Sequence, residues 1–320
     1  MSQSDSGAVV GIDLGGTKIA AAVVIADGTV LERTLVPTEA EQGRDHVISR
    51  LVDVVQELRE DTDRSIAAVG IGAPAPLSPS RGIIWEAPNM PGWEQVPLRD
   101  ILEGRLGLRV ALENDARAAG LAEARLGAGR DVRDMLYVSV GTGIGGALIL
   151  DGKLHRGATE TAGELGHMVM NPDGPICGCG NRGCLEQYAA GPAIERRAGE
   201  LLRGGAESSL SSLSREEITG ERVADAARRG DGVGLRAYRE AGAWLGAGIA
   251  SVVNLVNPSL VILGGGVANT GELLLSPLRA SVRQHSLARS YEGLRIEQAQ
   301  LGTDAGILGA AIAAFEVASG

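Results

Sequence analysis

Two glycine turns, each set between apolar runs and standing 126 residues apart, constrain this chain more than any other feature. The first lies in VVGIDLGGTKIAAAVVIADG, Val9 to Gly28, where Asp13 closes an apolar strand and a second apolar strand follows the turn. The second lies in MLYVSVGTGIGGALILDG, Met135 to Gly152, with the same layout. In register, Gly15 falls on Gly141, Gly16 on Thr142 and Thr17 on Gly143, and an Asp-Gly pair ends both copies. Similarity of this period predicts a duplicated domain and not a solenoid. The 320 residues suffice for two such units with proper cores.

GTGIGG contains a G-x-G pattern, yet a dinucleotide fingerprint must lead from a strand into a helix. The ALIL that follows Gly146 is another strand instead. One glycine turn between strands would be an ordinary tight hairpin. Two in matching positions read as paired loops whose bare backbone N–H groups can cradle a phosphate. A third cluster, Gly264, Gly265 and Gly266, ends the buried strand Leu260 to Leu263, where the lack of side chains lets a flat ligand such as adenine approach.

Ordinary α/β elements lie between. RDHVISRLVDVVQELRED has apolar residues at helical spacing, and IAAVGIGAPAPL is a strand running into a proline-broken loop. The SREE from Ser214 predicts a capping box opening a helix. DGVGLRAYREAGAWLGAGIASVVNLVNP predicts one long buried helix ending before Pro258, and LGTDAGILGAAIAAFEVA predicts a turn capped by Thr303 and an Ala-rich helix.

Charge narrows the partners. A formal charge of −10 opposes polyanion binding, and 2% aromatics leave little for a base-stacking platform. A small molecule is the expected partner, with no nucleic acid. The longest apolar run near the start, Ile19 to Ala26, is too short to cross a membrane, and no secretory signal is expected ahead of it.

All three cysteines, Cys177, Cys179 and Cys184, fall in GHMVMNPDGPICGCGNRGCLE, with His167 ten positions upstream of the first. An odd count argues against a disulfide framework, and a reducing compartment fits. Three thiolates and one imidazole make a closed set suited to tetrahedral, structural Zn²⁺. Three free thiols in a flexible turn is the plainer alternative. Carboxylates flank the loop: Glu164 three residues before His167, Glu186 two after Cys184. Asn114 and Asp115 interrupt a strand-to-helix junction, where Asp115 reads equally well as a helix N-cap. Together Asn114, Asp115, Glu164, His167 and Glu186 offer the fixed donors and acceptors that adjacent sugar hydroxyls need.

DLGGTK, ENDA, GELGH and CGCGNRGCLE together resemble the ROK family, the repressor, open-reading-frame and sugar-kinase group, nearly end to end. The resemblance implies a duplicated actin/hexokinase-type (ribonuclease H-like) ATPase fold with two domains around a cleft. The expected division is 1–112, joined by a returning helix at 305–320, and 113–304 with the zinc loop. It also implies ATP-dependent phosphorylation of a hexose. Carried over residue by residue, Asp115 is the catalytic base, while Asn89, Asn114, Glu164, His167 and Glu186 hold the sugar. Asp13, Gly15, Gly16, Thr17 and Lys18 with Gly141, Thr142 and Gly143 embrace the ATP phosphates and Mg²⁺, Asp13 nearest the metal. Gly264, Gly265 and Gly266 face adenosine, and Zn²⁺ sits on His167, Cys177, Cys179 and Cys184.

Within the family the motifs resemble the bacterial glucokinases, so glucose, phosphorylated at the 6-hydroxyl, is the expected acceptor. N-acetylmannosamine, fructose and allose are alternatives. The family's repressors carry a helix-turn-helix ahead of the ATPase-like region, and twelve residues before Asp13 are too few for one, which leaves a sugar sensor lacking that module as the reading from another class. A cytoplasmic homodimer or homotetramer is expected. GAPAPL departs from the family's Gly-x-Pro-Gly-x-Val run by carrying Ala75 at the second glycine, which would be strained if that position needs positive φ.

Overall fold

The computed structural model describes residues 7–87 and 90–319, and the duplication is written into its sheets. In the first half come β1 (Ala8–Leu14), β2 (Lys18–Val24), β3 (Val30–Pro37), α1 (Arg44–Asp61), β4 (Ile66–Ala73), β5 (Leu77–Ser78), β6 (Ile83–Glu86), β7 (Glu94–Val96), α2 (Leu98–Leu106), β8 (Arg109–Asn114) and α3 (Asp115–Leu126). The second half has β9 (Met135–Val140), β10 (Ile144–Leu150), β11 (Lys153–His155), α4 (Glu186–Ala189), α5 (Gly191–Arg203), α6 (Gly220–Arg228) and α7 (Gly232–Val256). It closes with β12 (Leu260–Gly264), α8 (Glu272–His285), α9 (Ala288–Glu292), β13 (Arg295–Gln298) and α10 (Ala305–Ser319).

Strand order in one sheet is β3-β2-β1-β4-β8 and in the other β11-β10-β9-β12-β13. In each, the first three strands pair antiparallel and the last two are added parallel. Both glycine turns are therefore strand–turn–strand, in register Leu14 to Ile19 and Val140 to Ile144. Strands β5, β6 and β7 form a small antiparallel sheet outside the repeat.

Each main sheet is covered on both faces, as parallel pairing demands. Helices α1 and α2 cover one face of the first sheet, burying Ile12, Leu51, Val55 and Ile71. The other face receives α10, whose Ile307, Leu308, Ala311 and Ala314 pack on Val9, Ala22 and Ala68. That approach is close because Gly11 and Gly70 have no side chains where the α10 backbone passes. Gly70→Ala would drive a methyl into the Ala310 carbonyl and is expected to destabilise the protein by at least about 1–3 kcal/mol. An unchanged urea midpoint would overturn that packing. Helix α3 packs the same way on the second sheet, with Gly120 against Tyr137 and Ala147.

Helices α1 and α7 occupy the predicted spans, and Asp231 caps α7 through the Val233 and Gly234 N–H groups. Three local readings differ. SREE stays in a turn, where Glu217 accepts the Ser214 N–H at 2.9 Å, and the helix starts six residues after Ser214 with Thr219 as its cap. At the β8–α3 junction Asn114, not Asp115, is the N-cap, its side chain accepting the Arg117 N–H. A short 3-10 turn, Gly302–Asp304, replaces the Thr303 cap ahead of α10. Ala75 lies buried outside the left-handed region, so the departure from glycine there carries no strain.

Candidate active site

The first residues of β10, Ile144 to Gly146, gather Glu186, the GELGH stretch and the start of α3. Glu186, at the start of α4, accepts the Ile144 N–H at 3.0 Å. Gly166 lies against the Ile144 carbonyl and Gly163 against that of Gly146, so the GELGH stretch rests directly on the strand. Gly143 leaves room for the Glu186 carboxylate, which a side chain there would meet at 2.5 Å. From the other side Ala116, the second residue of α3, packs on Gly145.

This places Asp115 between the ends of the two sheets, its backbone beside Gly72 of β4. Its carboxylate accepts the Ala116 N–H at 2.7 Å. Withdrawal from water, reinforced by the charges of Asp13 and Glu164, nevertheless pushes it up to about 6, against the pull of the Ala116 and Asn114 hydrogen bonds. Carboxylates from β1 (Asp13) and the loop before His167 (Glu164) thus both repel the Asp115 carboxylate. Hydroxyl donors and cations are what such surroundings accept. Asp13 is also raised by burial, opposed by Lys18, and its carboxyl lies against Gly306 in the first turn of α10.

Both phosphate-loop candidates are tight hairpins. Gly15 donates to the Lys18 carbonyl and Gly141 to that of Gly143, each at 2.9 Å. Thr17, Lys18 and Thr142 are exposed at the tips, with Gly16 half-buried beside them. The third cluster joins the second hairpin: Gly264 pairs with Ser139, Gly265 takes φ +88° against Val140, and Val267 donates to the Val140 carbonyl at 3.0 Å. Gly266 faces open space.

His167, Cys177, Cys179 and Cys184 bring their donor atoms within 4.8 Å of one another. Cys179 Sγ and Cys184 Sγ are 3.7 Å apart, as are Cys177 Sγ and His167 Nδ1. Ligands at about 2.3 Å around a tetrahedral ion stand about 3.8 Å apart, so the four residues fit zinc. The other nitrogen of His167, Nε2, lies 3.9 Å from Glu164 Oε2, so one ring faces both the thiols and the carboxylate. For Mg²⁺, the half-buried Asp13 offers the hard oxygen that ion prefers. Asn89 lies outside the described residues.

Sequence reasoning missed Thr38. Fully buried, it donates its hydroxyl to the Gly15 carbonyl at 2.6 Å and its N–H to that of Thr17 at 3.0 Å, clamping the first hairpin. It also missed the buried Glu113, which joins Arg117 and Arg156. A charged residue in an apolar strand just before Asn114 was the available signal.

Repeated five-stranded sheets facing a shared cluster of carboxylates and glycine hairpins define the actin/hexokinase-type class of sugar kinases. The chain belongs to the ROK family, whose model matches residues 9–316. A glucokinase of Streptomyces coelicolor is 39% identical over 97% of this chain and 98% of its own. The ROK family glucokinase of Streptomyces griseus, solved with glucose and AMPPNP, is 39% identical, with a TM-score of 0.81 over 97% of this chain and all of that one. A xylose repressor of Caldicellulosiruptor bescii is 34% identical over 95% of this chain, which spans 77% of the repressor. Among the described residues no helix is long and apolar enough to cross a membrane.

Proposed function

We propose that this protein phosphorylates glucose at its 6-hydroxyl with ATP, with Asp115 as the base. The observation that carries the reading is the Asp115 carboxyl, held at about 6 between Asp13 and Glu164 where the two sheets meet. The glucokinase relatives, and the glucose and AMPPNP bound by the Streptomyces griseus enzyme, support the same substrates here.

A sugar hydroxyl is far too weak an acid to be deprotonated at the outset. In a loose phosphoryl-transfer transition state it becomes acidic only as its bond to phosphorus forms. Asp115 accordingly orients the hydroxyl first and takes its proton late. Asn114, Glu164, His167 and Glu186, with Asn89, hold the other hydroxyls. The hairpins at Gly15–Lys18 and Gly141–Gly143 direct backbone N–H groups at the phosphates, and Gly264–Gly266 receive the adenosine. Asp13 would hold the Mg²⁺, which would supply neutralising charge to the phosphates. His167, Cys177, Cys179 and Cys184 would hold zinc as a structural clip, fixing the loop that presents Glu164, His167 and Glu186.

The reading includes two lobes, 1–112 with 305–320 and 113–304, closing over the sugar and excluding water. It includes a homodimer or homotetramer working in the cytoplasm, where free thiols stay reduced. The test is ADP release from ATP and Mg²⁺ with glucose, N-acetylmannosamine, fructose, allose or no sugar. Glucose-dependent release is expected. Silence across the panel, with zinc bound, would turn the reading to a sugar sensor, the role the repressor relative represents.

A further inference from the structure

Glu164 is 46% exposed on its side chain, so its direction is inherited from the backbone that carries it. That backbone, residues 156–163, has no regular structure and three positive-φ positions, Gly157, Glu160 and Gly163. Polar contacts from the first half of the chain hold it in place. The Glu113 carboxylate is fully buried at the end of β8. Its Oε1 accepts from Arg117 Nε at 2.7 Å and from the Asn114 N–H at 3.0 Å, and its Oε2 accepts from Arg156 Nε at 2.7 Å. Arg117 Nη1 also donates to the Ala162 carbonyl at 3.4 Å. Four residues on from Arg156, Glu160 accepts from the Ser78 hydroxyl and, at 3.2 and 3.0 Å, from the Ser80 N–H and hydroxyl.

One buried carboxylate therefore fixes two things at once: the peptide that delivers Asn114 and Asp115, and the start of the loop that delivers Glu164. We propose that Arg156 is a positioning residue for the sugar, holding the 156–163 loop on Glu113 so that Glu164 faces Asp115. The inference rests on the kinase reading above. Among the described residues the hydrogen bond of Arg156 goes to Glu113, at the sugar-side junction, so its loss is expected to act on the sugar and spare the nucleotide. A carboxylate shared by two guanidiniums keeps Arg117 when Arg156 goes, so the β8–α3 junction survives the substitution. Side-chain exposure of 31% at Arg156 makes a neutral replacement tolerable for folding.

The experiment compares the whole protein with R156Q and R156K. Amide exchange of the 157–165 segment is followed without ligands, and the glucose KM, ATP KM and kcat are measured. R156Q should exchange faster in that segment and show a glucose KM raised at least about tenfold, the cost of a misplaced substrate contact. The ATP KM, and kcat at saturating glucose, should stay within about threefold on the same grounds. R156K, keeping the charge without the planar fork, should fall between. Unchanged exchange overturns the proposal, as does a rise in both KM values together, the mark of general loosening. Wild-type protein without glucose-dependent ADP release overturns the kinase reading and the proposal with it. Wild-type activity alongside a normal glucose KM in R156Q overturns the proposal alone. Should R156Q fail to fold, E160Q at the second anchor is read in the same way.

Discussion

Asp115→Asn is expected to keep glucose binding, lower kcat by roughly 10²-fold or more, and make the protein more stable at neutral pH. The two effects share a cause. A carboxyl held at about 6, against an ordinary 3.8, prefers to be protonated in the fold. Its contribution to stability is complete below about 3.8 and is lost as pH rises through about 6. At pH 7 the ionised form then costs the folded state about 3 kcal/mol at most, the ceiling because Asp115 keeps partial access to solvent. Asparagine carries no such charge. Denaturant titration should show the gain at pH 7 and its disappearance toward pH 4. The same ionisation predicts that wild-type kcat/KM climbs with pH through about 6 and then levels off. A variant with near-normal turnover would end the assignment of the base, whatever its stability.

Loss of the zinc should be nearly as costly. Cys179→Ser is the cleaner substitution, because Cys179 is exposed whereas serine at the buried Cys177 or Cys184 would also place a hydroxyl in the interior. Metal content should fall from about one zinc per chain to little or none, and glucose kcat/KM should fall by roughly 10²-fold or more, at least the weight of an outer-sphere partner. The reason lies in how the loop is joined to the strand beneath it. Glu186 follows Cys184 by two residues and is bonded to the Ile144 N–H beside the second glycine hairpin. His167 presents one nitrogen to the thiols and the other to Glu164. Releasing the clip frees Glu186, His167 and Glu164 together. Chelation should inactivate wild type in parallel, with recovery on zinc and none on Mg²⁺. A metal-free protein of full activity would leave the cysteines without their role.

What could be read ahead of the structure was what short range decides. Apolar spacing placed α1 and α7, and the glycine hairpins announced themselves because a two-strand turn leaves a local pattern. Convergence of the cysteine loop was readable for a similar reason, the ligands lying within 18 residues of one another. Reading failed where neighbours compete for one job. Asn114 and Asp115 both cap helices well, and the choice fell to the strand register, since β8 runs through Asn114. SREE satisfied its own N–H in a turn and so needed no helix. Arg156 and Thr38 escaped notice because their partners are distant in sequence, Arg156 lying 43 residues from Glu113 and Thr38 23 from Gly15; Glu113 pairs locally with Arg117 but also across that longer distance. A lone charge in an apolar strand says that a partner exists without naming it.

The crossing of α3 and α10 has a consequence for how the chain is made. Each of these helices follows the last strand of one sheet and packs on the other, and they meet where Gly309 lies against Ala118. The first sheet therefore leaves the ribosome with one apolar face bare, and the residues that cover it are translated more than half a chain later. The second sheet is covered by α3, made before it, whereas the first sheet waits for α10, so the first half is expected to complete its core only after residues 305–319 have been synthesised.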